Sequence, residues 1–232
     1  MNEFKKGLKD GIPIALGYLS VSFSIGIMVL TGGLSVFQGA LMSLTNVTSA
    51  GQFAGLTIIG AGGSLVEMAL SQLVINMRYA LMSLALGPRF GPSVSTWKRL
   101  LCAFFNTDEV FALGMARGQK LTASYFLGAG TVAAIGWIGG TALGAVAGSL
   151  LPESVRMAMS TLLYGMFVAI VIPQARAEKP MAVCLALALV FSCLFTWLPL
   201  LNTVSTGLAI VICTVAAAAL CAVLFPVKED AQ

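Results

Sequence analysis

Four ionisable side chains, Glu67, Arg78, Asp108 and Glu109, stand inside stretches of the chain that are otherwise largely apolar. At the depth of a bilayer core each such group costs at least about 2.5 to 3.5 kcal/mol, so each needs a partner or a polar cavity. Arg78, in Asn76-Met77-Arg78-Tyr79, carries a planar fork of donors that suits a carboxylate, either Asp108 or Glu109 or one on a substrate. Snorkelling of its long stem to the interface is the plainer alternative. Asp108 and Glu109 are neighbours and point about 100° apart on a helix, too divergent for a close carboxylate pair. One of them is expected to face a cavity, as a proton carrier or as the ligand of a substrate ammonium. A second expectation is compatible with the first: Asn106 as the N-cap of a helix, with Glu109 three residues on, bringing negative charge to its amino terminus.

Glu67 and Arg78 are eleven residues apart. On one helix that spacing returns them to within about 20° of the same face, roughly 16 Å apart along the axis. With Ser71 between them and Gln72 and Asn76 alongside, they would line one polar stripe facing the bundle interior. Alternatively, Glu67 lies near the start of its span and is solvated at headgroup level.

The elements that must hold these groups follow from composition. Of 232 residues 58% are hydrophobic and 9% charged, against about 25% charge in a soluble domain, so this is an integral membrane protein. Histidine is absent, which excludes Ser-His-Asp chemistry and histidine-ligated metals or haem. The net charge of +4 is too small and dispersed to bind nucleic acid. Cys102, Cys184, Cys193, Cys213 and Cys221 show no C-x-x-C spacing and read as small buried hydrophobes. No cofactor, no metal and no enzymatic activity are expected.

About 20 apolar residues cross a bilayer core. This ruler finds eight stretches, roughly 12–30, 36–61, 64–86, 101–116, 123–150, 155–174, 181–199 and 203–225. The first follows Lys5, Lys6 and Lys9 and is too long for the apolar part of a secretion signal, so it reads as a retained span. Two stretches are abnormal. The second carries Ser43, Thr45, Asn46, Thr48, Ser49, Gly51, Gln52 and Gly55; the fourth is short and has Asn106, Thr107, Asp108 and Glu109 at its middle.

Cytoplasmic loops collect Lys and Arg. Eight full crossings with the amino terminus inside put Lys5, Lys6, Lys9, Arg117, Lys120, Arg176, Lys179 and Lys228 inside, and Arg89, Lys98, Arg99 and Arg156 outside, eight against four. If the two abnormal stretches dip in and return, the count becomes eleven against one. The expected fold is therefore an all-α polytopic membrane bundle, a single domain over 1–232, with about six full spans, two broken or re-entrant segments and both termini cytoplasmic. Eight full spans is the alternative. Interrupted backbone at membrane depth survives only where protein or a wet cavity satisfies it, and in transporters such breaks mark binding sites. Gly136, Gly140, Gly144 and Gly148 recur every four residues, a stripe on which another helix can approach closely.

Ser49-Ala50-Gly51-Gln52-Phe53-Ala54-Gly55, then Asn76-Met77-Arg78-Tyr79, then Asn106-Thr107-Asp108-Glu109-Val110-Phe111-Ala112-Leu113 resemble, in order and spacing, the AzlC/YgaZ family of bacterial inner-membrane exporters. The likeness covers nearly the whole chain, strongest from Ile12 to Gly118. It implies efflux of branched-chain amino acids, with methionine or toxic analogues in some members, and a small multi-span membrane partner of the AzlD/YgaH type. Combined with the residues above, it implies a site in which Arg78 attracts the amino acid carboxylate while Asp108 or Glu109 meets the ammonium or carries a coupling proton. Broken backbone around Gln52 would complete the polar contacts. A channel, or a structural subunit of a transport complex, is the competing reading. An ABC permease is not, because the chain has no E-A-A-x-x-x-G coupling segment and no P-loop.

Overall fold

The computed structural model describes residues 2–91, 94–117 and 121–226, leaving aside the side chains at 156, 159, 160, 162, 163, 166 and 170. Lys120, Lys228 and the Arg156 side chain, which enter the charge count, lie outside this description. The described chain is helical: α1 (Glu3–Thr31), α2 (Val36–Thr45), α3 (Ser49–Gly60), α4 (Leu65–Leu86), α5 (Thr96–Phe104), α6 (Asp108–Ala116), α7 (Ala123–Leu150), α8 (Glu153–Ala177), α9 (Lys179–Trp197) and α10 (Thr206–Leu224). Among the described residues five helical stretches are long and apolar enough to cross a membrane: α1, Leu65–Arg89, α7, α9 and α10. The helix α8 has the length to cross, but it carries Glu153 and Arg176 near its ends and Pro173 inside.

The two abnormal stretches are both interrupted, the first at residues 46–48 and the second at residues 105–107. At the first break Thr48 restarts the helix, its hydroxyl and carbonyl accepting from the backbone N–H groups of Gly51 (3.3 Å) and Gln52 (3.0 Å). At the second break the N-cap is Thr107, which makes no side-chain capping bond, and α6 opens directly on Asp108 and Glu109. Asn106 is therefore not the cap. Its amide instead donates to Ser83 on α4 at 3.0 Å.

The chain forms two compact units, Met1–Phe53 with Ile75–Leu163, and Ala54–Val74 with Tyr164–Gln232. The first is organised on α1 and α7, which run side by side in the same direction. A Cβ on Gly136, Gly140 or Gly144 would overlap the backbone of Ala15, Leu19 or Phe23, and one on Gly7 or Gly26 would overlap the backbone of α7. Gly148 is looser, meeting the Leu30 side chain at 3.1 Å. An alanine in place of a helical glycine ordinarily adds about 1 kcal/mol of helix stability. Here steric overlap reverses the sign, and Gly144→Ala is expected to cost about 1 to 3 kcal/mol. Gly139→Ala, where a Cβ meets nothing within 4 Å, is the control and should be neutral or stabilising. Thermal midpoints of the two variants in detergent decide this.

The helix α1 starts about two turns before its apolar stretch, so Lys5, Lys6 and Lys9 lie on the helix. Its polar beginning is held by side chains. Glu3 pairs with Lys6 (2.8 Å) and with Arg117, whose guanidinium lies over the Tyr125 ring, while the Tyr125 hydroxyl donates to Asp10 (2.9 Å).

The second abnormal stretch folds back on itself. Before α5, Arg89 accepts from Leu121 N–H (3.2 Å). At the tip, Phe105 lies against Gly130, and after the break Gly114 returns to the Phe126 ring and Leu121. Both ends of the α5–α6 hairpin thus lie at the amino-terminal end of α7. Arg99 clamps the segment before α5, donating to the carbonyls of Gly87, Gly91 and Val94 at 2.9, 3.2 and 3.1 Å.

In the second unit α9 packs on α10. Ser71 on α4 donates to the Gly207 carbonyl at 3.1 Å. Cys102 and Cys213 are buried as expected, but Cys193 is exposed on α9, a helix with no buried residue, where its apolar thiol faces outward.

Candidate functional site

One set of polar side chains of the first unit gathers half-way along α7. Trp137 stands fourteen residues after the start of that helix and thirteen before its end. From one side α3 brings Gln52, fully buried, whose Oε1 accepts from Trp137 Nε1 (2.8 Å) and whose Nε2 donates to Ser43 Oγ (2.8 Å). Ser43 and Thr141 share a hydroxyl hydrogen bond at 2.7 Å, and Thr141 also donates to the Trp137 carbonyl at 3.2 Å. Such a network is stable in a low-dielectric interior only when its members are satisfied. Gln52 is therefore used to lock the restart of α3 to α7, with both ends of its amide engaged inside the protein.

From the other side α6 brings the carboxylates. Tyr18 on α1 is buried with its ring edge-on to Trp137, centroids 5.3 Å apart, and its hydroxyl donates to Glu109. Asp108, next in the first turn, pairs with Arg78 at 2.8 Å, the two side chains being 47% and 48% exposed. Arg78 also donates to the Tyr79 hydroxyl at 3.1 Å. The first turn of α6 is a favourable place for carboxylates, since the unpaired N–H groups of a helix start attract negative charge. Two carboxylates and one guanidinium leave one negative charge in excess there.

The structure thus brings Arg78, Asp108 and Glu109 together, with Gln52 tied to the same tryptophan through which Tyr18 is held. Asn76 lies half-buried on α4, about 200° around the helix from Arg78. Glu67 and Arg78 both lie on α4, Glu67 with Ser71 in the second unit and Arg78 in the first. Glu67 is not solvated. It is buried and forms a capping box at the start of α4: its carboxylate accepts from Ser64 N–H (2.8 Å) while its own N–H donates to the Ser64 hydroxyl (3.2 Å). Ser-x-x-Glu at residues 64–67 carries that signal in the sequence. Tyr18 and Trp137 are the members that residue type conceals, since an aromatic in an apolar run reads as packing.

The second unit offers a groove of about 490 Å³ between α9 and α10, lined by Ser192, Phe195, Thr196, Asn202, Thr206 and Cys213 among others. It has hydroxyls but no charged side chain, and so no counter-ion for a charged ligand.

The AzlC protein family model matches residues 13–151, which hold Tyr18, Gln52, Arg78, Asp108, Glu109 and Trp137. Similar proteins include the Inner membrane protein YgaZ of Escherichia coli, 28% identical over 81% of this chain and 78% of its own length. An uncharacterized membrane protein of Archaeoglobus fulgidus is 30% identical over 88% of this chain and 89% of its own. One from Helicobacter pylori is 32% identical over about half of each chain. No solved structure matches. With the family model spanning more than half its length and the motifs around Gln52, Arg78 and Asp108 inside the match, the chain belongs to the AzlC family of membrane proteins.

Proposed function

We propose that this protein exports branched-chain amino acids across a bacterial inner membrane, as one transporter domain over 1–232 with both termini in the cytoplasm. The observation that carries the reading is that side chains next to both helix interruptions meet at Trp137, half-way along α7: Gln52 directly and Glu109 through Tyr18, with the Arg78–Asp108 pair beside Glu109. A position near the middle of a membrane helix is where secondary transporters place substrate, between broken segments whose ends supply polar groups. The folded-back α5–α6 hairpin supports a re-entrant segment there, the topology that also gathers the positive charges on one side.

Arg78 is the group for the substrate carboxylate. To reach it, the carboxylate replaces Asp108 on the guanidinium, and the displaced Asp108 is then free to take a coupling proton. The apolar walls of α1 and α7 suit an isobutyl-type side chain. Methionine and analogues of similar shape fit the same description. A small multi-span partner of the AzlD type completes the proposal, and α9, which buries none of its residues, has the free apolar surface for such a partner or for lipid.

Counter-flow of labelled leucine into liposomes holding the purified chain tests this, with and without the partner and across a pH gradient. Transient accumulation above the external concentration is expected. Absence of uptake in every condition overturns the export reading, and uptake without accumulation makes the protein a passive pore.

A further inference from the structure

The two carboxylates at the start of α6 are not equivalent. Asp108 already has a cation, Arg78, at 2.8 Å, whereas Glu109 is held by a neutral hydroxyl, that of Tyr18. The excess negative charge of the site therefore resides on Glu109. Tyr18 is itself rigidly placed: it is buried, its ring is edge-on to Trp137, and Trp137 is fastened to Gln52 by a 2.8 Å hydrogen bond. The hydroxyl serves Glu109 in one direction only. As donor it occupies one lone pair of the carboxylate, orients it, and leaves the remaining acceptor positions open. A carboxylate held this way is prepared to receive a second, stronger donor that carries a positive charge.

We infer that Tyr18 is a positioning residue that aims Glu109 at the ammonium group of the substrate, so that Glu109 reads the positive end of the ligand and Arg78 the negative end. The assignment rests on the amino acid export reading and deepens it. Tyr18 also links the two interruptions, since through Trp137 it meets Gln52 in the first turn of α3 and through its hydroxyl Glu109 in the first turn of α6. The ammonium pocket is thus built on both broken segments.

Binding to the purified full-length chain tests the assignment with three probes in competition with labelled leucine: leucine itself, 3-methylbutylamine, which lacks the carboxylate, and 4-methylpentanoate, which lacks the ammonium. Tyr18→Phe removes one oxygen and keeps the ring on Trp137. It is expected to weaken leucine and the amine about tenfold, the worth of one hydrogen bond that orients a charged group, while 4-methylpentanoate stays within about twofold. In a Glu109→Gln background the same substitution should add nothing for leucine, because the group it positions is gone. Glu109→Asp draws the carboxylate back from the Tyr18 hydroxyl and should give the same ammonium-selective loss, which serves as the test if Tyr18→Phe does not fold. Equal losses for all three probes, or a Tyr18→Phe effect on leucine that persists in the Glu109→Gln chain, overturn the assignment and leave the export reading standing. A native chain that binds no leucine overturns the export reading and the assignment with it.

Discussion

Replacing Arg78 by lysine should lower leucine counter-flow about tenfold or more, and replacing it by alanine should abolish it. Lysine keeps the charge but loses the planar fork, so a carboxylate that is held by two parallel donors retains one at most. One charge-assisted hydrogen bond is worth about 1.5 to 3 kcal/mol, which is about ten- to a hundredfold in affinity. Arg78 lies close to Asp108 at 2.8 Å and to its neighbour Tyr79, so the arginine geometry is set before substrate arrives. Counter-flow that survives Arg78→Lys unchanged would reduce Arg78 to an interfacial charge.

The second large effect separates the carboxylates. Glu109→Gln should weaken leucine binding and counter-flow together, by about ten- to a hundredfold, because it removes the excess negative charge of the site. Asp108→Asn should retain counter-flow, in which substrate exchanges for substrate, and lose the response to a pH gradient. Its folding should suffer by about 1 kcal/mol or less, because Arg78 loses its anion at a pair whose side chains are about half exposed. The double variant Arg78→Ala with Asp108→Ala should accordingly be more stable than the sum of the single losses allows, yet inactive. Full activity in both Asp108→Asn and Glu109→Gln would remove the carboxylates from the mechanism.

Much of this arrangement is legible in the amino acid sequence because apolar runs make polar exceptions conspicuous. Asn46 to Thr48 and Asn106 to Glu109 mark the two breaks, and the glycines at every fourth position mark the α1–α7 seam. The cost of leaving Arg78 alone calls for a carboxylate, and the fold supplies Asp108 while Tyr18 holds Glu109. What hydropathy hides has definite physical causes. Lys5, Lys6, Lys9 and Asp10 precede the apolar stretch, yet they lie on α1, where Glu3 pairs with Lys6 within one turn and Tyr125 of α7 donates to Asp10. Glu67 shares its periodic face with Arg78, but the local Ser64–Glu67 capping box claims its carboxylate. Asn106 has the residue type of an N-cap, and the chain spends it on Ser83 instead, leaving Thr107 at that place. Tyr18 and Trp137 are invisible to a search for polar residues. Each buries a large apolar body and contributes one donor, and only the fold shows where that donor points.

The ion pair and the two interrupted helices have a common explanation if water reaches them. Asp108→Cys, in a chain whose five native cysteines are replaced by alanine, places a thiol at the start of α6 beside Arg78. A small charged thiosulfonate should modify it quickly, and leucine should slow the reaction, because substrate occupies the same space. A thiol that stays unreactive with and without leucine would mean that hydrocarbon, not a wet chamber, surrounds the site.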